Sequence, residues 1–141
     1  DYRIARVIAA GSKTVRYSTN TVHIDRRQLP REPLRFDESP DGGEQGGEDY
    51  ALFVEQNGRA KYVISLRGDK ASKPTLQQHE LAESELYLLP DNRSAAEAGA
   101  DSRRIGPVRR DAIAGRPLFI GWSTSPDDGS LRWSRIGYAL R

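Results

Sequence analysis

Residues 50–66 read YALFVEQNGRAKYVISL, and this stretch decides the fold class. Two alternating runs, 50–56 and 59–66, flank Asn57 and Gly58. Asn-Gly readily takes the positive φ angles of a two-residue hairpin turn, and the alternation gives each strand one inward face. The same pattern continues on both sides. Residues 2–10, YRIARVIAA, alternate and then turn apolar, which predicts a strand buried on at least one face. Gly11 and Ser12 mark a turn, and TVRYS (14–18) and TVHID (21–25) form a hairpin around Thr19 and Asn20. ELYLLP (85–90) is a short strand, and RPLFIGWS (116–123) and SLRWSRIGY (130–138) are two more. VRRDAI (108–113) has room for one helical turn. Residues 26–48 hold three Pro and four Gly without a period, which predicts a flexible insertion. Residues 67–80 and 91–103 are polar connections. The expectation is one mainly β domain over 1–141, antiparallel, with Pro/Gly-rich insertions.

Composition removes several functions. The chain has 141 residues and no Cys, which excludes a disulfide framework, a Cys-based zinc site and a thiol nucleophile. Its 22 Lys and Arg are interspersed with 20 Asp and Glu, and no basic block carries interleaved aromatics, so nucleic acid is not an expected partner. His23 and His79 stand far apart with no ligand-spaced neighbours, so neither a metal nor a cofactor is expected. DGGEQGGE (41–48) lacks the Lys-Ser/Thr pair of a phosphate loop and reads as linker. No apolar run approaches the ~20 residues of a membrane span. The first residue is Asp1 rather than Met, at the edge of a strand pattern, so the expectation is a piece of a longer chain.

Three segments, in order, resemble the type I signal peptidases, membrane-bound serine endopeptidases that remove signal peptides from exported proteins. DYRIARVIAAGSKTVRY (1–17) is similar to that family's D-Y-x-I-K-R-V-I-G-L-P-G-D-x-V, and NTVHIDRRQL (20–29) to its N-x-L-Y-I-N-G hairpin. ELYLLPDNR (85–93) followed by DSR (101–103) resembles its Y-F-V-M-G-D-N-R … D-S-R box. IGPVRRDAIAGRPLFIGWS (105–123) and LRWSRIG (131–137) look like its C-terminal part. Residues 30–80 carry no match, as in the variable region of the family. The resemblance implies antiparallel sheets of the signal peptidase type. It also implies a position on the extracytoplasmic face of the cytoplasmic membrane, with a membrane anchor and nucleophile segment upstream of this chain.

The family's chemistry is a Ser/Lys dyad. A serine is a weak nucleophile until a base takes its proton, and a lysine serves as that base only when burial lowers its pKa. In this register Ala5 occupies the lysine position. Lys13 falls on a turn, and arginines such as Arg3 or Arg6 stay protonated. Ser12, Ser102 and Ser123 belong to no nucleophile motif of the family. The family's P-G-D turn is Gly11, Ser12 and Lys13 here, and its G-D-N-R opens on Pro90. The spacer 94–100 is longer than the family's, and Gly99 stands where a lysine-contacting serine is common. The catalytic pair is thus expected to be missing, as in a pseudoenzyme.

Other residues keep the family's identities. The resemblance makes Asp101 and Arg103 an ion pair bracing the former site, with Ser102 between them. It gives Arg6, Asp91, Asn92 and Arg93 structural support of the same neighbourhood. Trp122 and Trp133 are core or cross-strand residues, or contacts with the membrane surface. The expected partner is an extended peptide bound by strand addition. Two alternatives stay open: an active peptidase with Ser and base supplied elsewhere, and a structural exported β domain.

Overall fold

The computed structural model describes residues 2–18, 20–34, 50–67, 76–94, 100–125 and 128–140. Ten strands run in chain order: β1 (Arg6–Ala10), β2 (Thr14–Ser18), β3 (Thr21–Ile24), β4 (Arg27–Gln28), β5 (Arg31–Pro33), β6 (Tyr50–Asn57), β7 (Ala60–Arg67), β8 (Gln77–Glu80), β9 (Glu85–Leu89) and β10 (Val108–Arg109). One short helix, α1 (Ser102–Ile105), lies between β9 and β10. The strands form three sheets, ordered β1-β9-β10, β4-β3-β2-β8 and β5-β6-β7. Every pairing of named strands is antiparallel.

Alternation explains most of the packing. On β7, Tyr62, Ile64 and Leu66 are buried while Lys61 and Val63 face outward. On β2, Val15 and Tyr17 point inward and Arg16 outward. β9 is the central strand of its sheet, and Leu86 to Leu89 are buried in succession, as a strand covered on both faces requires. One cluster joins Ile8, Val15, Val22, Ile64, Tyr87 and Leu89, drawing on all three sheets.

The turns show how closely the chain is held. Gly11 has φ +21°, and a Cβ there would collide with the Glu83 carbonyl. Its N–H donates to Glu85 O and that of Ser12 to Leu81 O, joining the first two sheets between β1 and β2. Asp25 and Arg26, at φ 48° and 68°, form the two-residue turn between β3 and β4. Both carry positive φ, as a mirror-image hairpin turn demands, although Arg26 has a Cβ that opposes it. Asp25 compensates by accepting from Thr14 N (3.1 Å) and from Lys13 Nζ (2.5 Å).

Several expectations from the sequence need correction. The insertion predicted over 26–48 holds two short strands, β4 and β5, because β3 and β6 offer open edges to them; its residues 35–49 lie outside the described residues. The polar stretch 67–80 contains β8, which pairs with β2 through backbone bonds that need no apolar side chains. The polar loop 91–103 gives way to α1 at its end, capped by the Asp101 side chain. Residues 108–113 are half strand and half a 3-10 turn (Arg110–Ala112). Residues 116–123 and 130–138 are not strands. They meet at the isolated bridges Phe119↔Ala139 and Thr124↔Leu131 and through single backbone bonds such as Ile120 N to Tyr138 O and Arg132 N to Ser123 O, and Trp133–Arg135 is a 3-10 turn. Gly137 at φ 82° and Pro117 break the extended runs, and no other strand pairs with them among the described residues. Thr19 lies outside the described residues.

Candidate functional site

Ala5 is half-buried and stands immediately before β1. The next residue, Arg6, pairs with Leu89 at the end of β9, so the chain beyond β9 passes close to position 5. Pro90 is buried there, and Asp91 turns back to meet Arg6. The contact is bidentate, with Nε to Oδ1 at 2.7 Å and Nη2 to Oδ2 at 2.8 Å. The Arg6 guanidinium also sits 4.0 Å from the centre of the Tyr62 ring. The Asp91 hydrogen bond holds the Arg6 proton more firmly than in water, so Arg6 is a fixed cation and no base.

Below this pair lies a buried one. Glu55 on β6 and Arg93 have side chains 2% and 1% exposed, and Arg93 Nη2 reaches Glu55 Oε1 at 2.6 Å. The Tyr62 hydroxyl donates to the same oxygen at 2.9 Å. Burial first, and then the Glu55 charge, push the Tyr62 hydroxyl well above its ordinary pKa, so it remains a donor. Arg93 Nε is buried without a hydrogen-bond partner among the described residues.

The third group lies at the start of α1. Asp101 Oδ1 accepts from Arg103 N at 2.9 Å, satisfying one of the free amides of the first helical turn. Its carboxylate also takes Arg103 Nη2 (2.5 Å) and Nε (2.9 Å). Arg103 Nη1 donates to Arg93 O at 2.8 Å and to the Tyr17 hydroxyl at 2.9 Å. The Tyr17 hydroxyl in turn donates to Asn20 Oδ1 at 3.1 Å. Ser102 is buried, and its Oγ accepts from Leu88 N at 2.9 Å, which fastens α1 to β9. Tyr87, pushed up to about 12 by burial, ends beside these groups with its hydroxyl buried and unpartnered among the described residues. Asn92 closes a turn, its Oδ1 accepting from Ser94 N at 3.1 Å, and forms a parallel bridge with Ser65.

These contacts make one chain of polar groups, from Asp91 through Arg6, Tyr62, Glu55, Arg93 and Arg103 to Asp101. It contains three arginines and three carboxylates, and it touches all three sheets. The structure therefore brings together six of the residues singled out by sequence: Arg6, Asp91, Arg93, Asp101, Ser102 and Arg103. Glu55, Tyr62 and Tyr17 were missed, although Glu55 left a trace as the one acid within an apolar strand run. Gly99 lies outside the described residues. Trp122 and Trp133 join none of these contacts. They are 69% and 72% exposed, which excludes the core reading.

As chemistry, the network is a brace. Its carboxylates are held by guanidinium groups that stay protonated, and Ala5 offers no titratable atom. Among the described residues, Lys13 lies at the far end of β1 and bonds Asp25, while Lys61 is exposed on β7. No group of three or more His, Asp or Glu that could hold a metal occurs among the described residues, and no helix among them is long and apolar enough to cross a membrane.

A family model described as signal peptidase, peptidase S26, matches residues 2–122. The chain belongs to the signal peptidase family. That family is one of serine endopeptidases, and the antiparallel sheets described above agree with its fold. No curated protein matches the chain. The matched span contains the whole network of the signal peptidase boxes and ends at Trp122, so the likeness of 131–137 rests on its own residues.

Proposed function

We propose that this domain is a catalytically degenerate signal peptidase that binds extended peptides instead of cleaving them. The observation that carries the reading is the pairing of Ala5 with an otherwise intact brace. The side chain at the lysine position ends at Cβ, while Arg6, Asp91, Arg93, Asp101 and Arg103 keep their ion pairs. Loss of a general base alone lowers a rate by roughly 10² to 10⁴-fold. The scaffold next to it still presents an open strand edge, which can add a strand from an extended peptide. In this reading the domain stands on the extracytoplasmic face of the cytoplasmic membrane. The exposed Trp122 and Trp133, with Leu118, Phe119 and Tyr138 exposed in the same segment, support contact with the bilayer surface.

The test is cleavage of a signal-peptide substrate by the full-length protein in detergent, beside its Ala5→Lys variant. The expected result is an inert parent and slow cleavage by Ala5→Lys. A parent that cleaves at rates unchanged by Ala5→Lys overturns the reading.

A further inference from the structure

An antiparallel sheet with one face on the core ordinarily turns polar side chains outward on the other. The β4-β3-β2-β8 sheet obeys this. Arg16 stands opposite His23 and Gln78, and His23 opposite Gln28, so its outward face is polar. The β5-β6-β7 sheet does not. Its inward face carries Phe53, Tyr62 and Ile64, which join the core. Its outward face sets Val54 opposite Val63, with Leu52 one repeat along. The register continues to Leu34, whose N–H donates to Leu52 O at 2.9 Å. Leu34, Leu52 and Val54 are half-buried and Val63 is 44% exposed, as on a face without a second layer among the described residues. Tyr50 ends this apolar stripe, with the Arg67 guanidinium over its ring. The two edges of the face carry opposite charge. Glu32 on β5 lies opposite Val54, and Lys61 on β7 lies opposite Gln56. Both are exposed, and neither has an ion-pair partner among the described residues.

We propose that the outward face of the β5-β6-β7 sheet is the interface of a symmetric dimer, in which two copies of this chain pack this face against itself. The charges choose the axis. A two-fold axis running along β6 sets β5 of one copy over β7 of the other, so Glu32 meets Lys61 twice and the apolar stripes coincide. An axis across the strands would instead set each edge over its own copy, Glu32 against Glu32 and Lys61 against Lys61. Lys61 lies one repeat, about 7 Å, along the strand from the level of Glu32, within reach of its long side chain. Strands of two sheets packed in this way stay nearly aligned, as in a sandwich. The face is about 26 Å long, at ~3.3 Å for each of the eight residues of β6. Three strands make a small interface, so the dimer is a weak, reversible one.

The test is sedimentation equilibrium of the full chain over a concentration series. The expected result is a monomer–dimer equilibrium. Glu32→Lys or Lys61→Glu alone weakens it by about tenfold, since the symmetry repeats each pair twice, and the two changes together restore it. Val63→Asp abolishes the dimer, and its thermal unfolding, beside that of the unsubstituted chain, shows that the monomer is still folded. Geometry is read separately by cross-linking. The chain has no Cys, so single Glu32→Cys and Lys61→Cys variants, mixed and treated with a bis-maleimide spanning the ~10 Å between packed sheets, join to each other more than either joins to itself. A chain that stays monomeric throughout the series leaves the face to a foreign partner and overturns the dimer. Self-association that a folded Val63→Asp variant retains, charge reversals that fail to rescue one another, or Glu32→Cys joining mainly to itself overturns the proposed interface.

Discussion

The two ends of the domain use similar residues to opposite effect. Among the described residues of 6–112, apolar side chains build a core, although Val7, Val63, Leu76 and Ile105 stay exposed. β1, β2, β7 and β9 bury Ile8, Val15, Ile64 and Leu89 in one cluster, and a chain of ion pairs runs through it. Over 113–140, Leu118, Phe119, Trp122, Trp133 and Tyr138 are all exposed, held by two isolated bridges and scattered backbone bonds. Both regions carry β-prone sequence. The difference is that the first has a second layer to pack against, and β propensity expresses itself mainly through such packing.

If that contrast is right, the largest loss of stability comes from the buried pair. Glu55→Ala leaves Arg93 charged and unpaired in the interior and costs about 3–5 kcal/mol by urea denaturation. The double change Glu55→Leu with Arg93→Met removes both charges and recovers most of that loss. Ser102→Ala deprives the Leu88 amide of its acceptor and costs about 1–3 kcal/mol in the same measurement. Arg26→Gly relieves the positive φ of the β3–β4 turn and raises stability by about 0.5–1 kcal/mol. Trp133→Ser changes stability by less than about 0.5 kcal/mol, because an exposed side chain has little packing to lose. A large loss from Trp133→Ser, or none from Glu55→Ala, breaks the comparison.

What could be read from the sequence follows the same division. The β6–β7 hairpin was legible because Asn57 and Gly58 encode the turn locally. The DNR and DSR residues were legible as a motif, and their contacts proved mutual. Glu55 was not, since its meaning depends on Arg93, 38 positions away. β8 was hidden because QQHE has no apolar alternation and is a strand only through its pairing with β2. Residues 116–123 failed in the other direction, having strand-like side chains but only an isolated bridge and single backbone bonds to 132–140 in place of a ladder. At the site, the reading of Ala5 at the lysine position rests on the family resemblance of residues 1–17. The bond from Asn57 Nδ2 to Ile8 O was not legible, since a side-chain bond to a backbone carbonyl leaves no mark on either segment.

The brace also has a temporal meaning. Arg6 meets Asp91 across 85 positions and Arg103 meets Tyr17 across 86. Contacts so distant along the chain slow folding, because a long loop must close before they return any stabilisation. During synthesis β1 and β2 emerge first and wait for nearly the whole domain to follow. Until Arg103 has left the ribosome, the Tyr17 hydroxyl lacks that donor, and the β1 edge faces its surroundings without the strand that will cover one side of it. The brace is therefore late to close, since its contacts form only once the chain from Asp91 to Arg103 has followed β1 and β2.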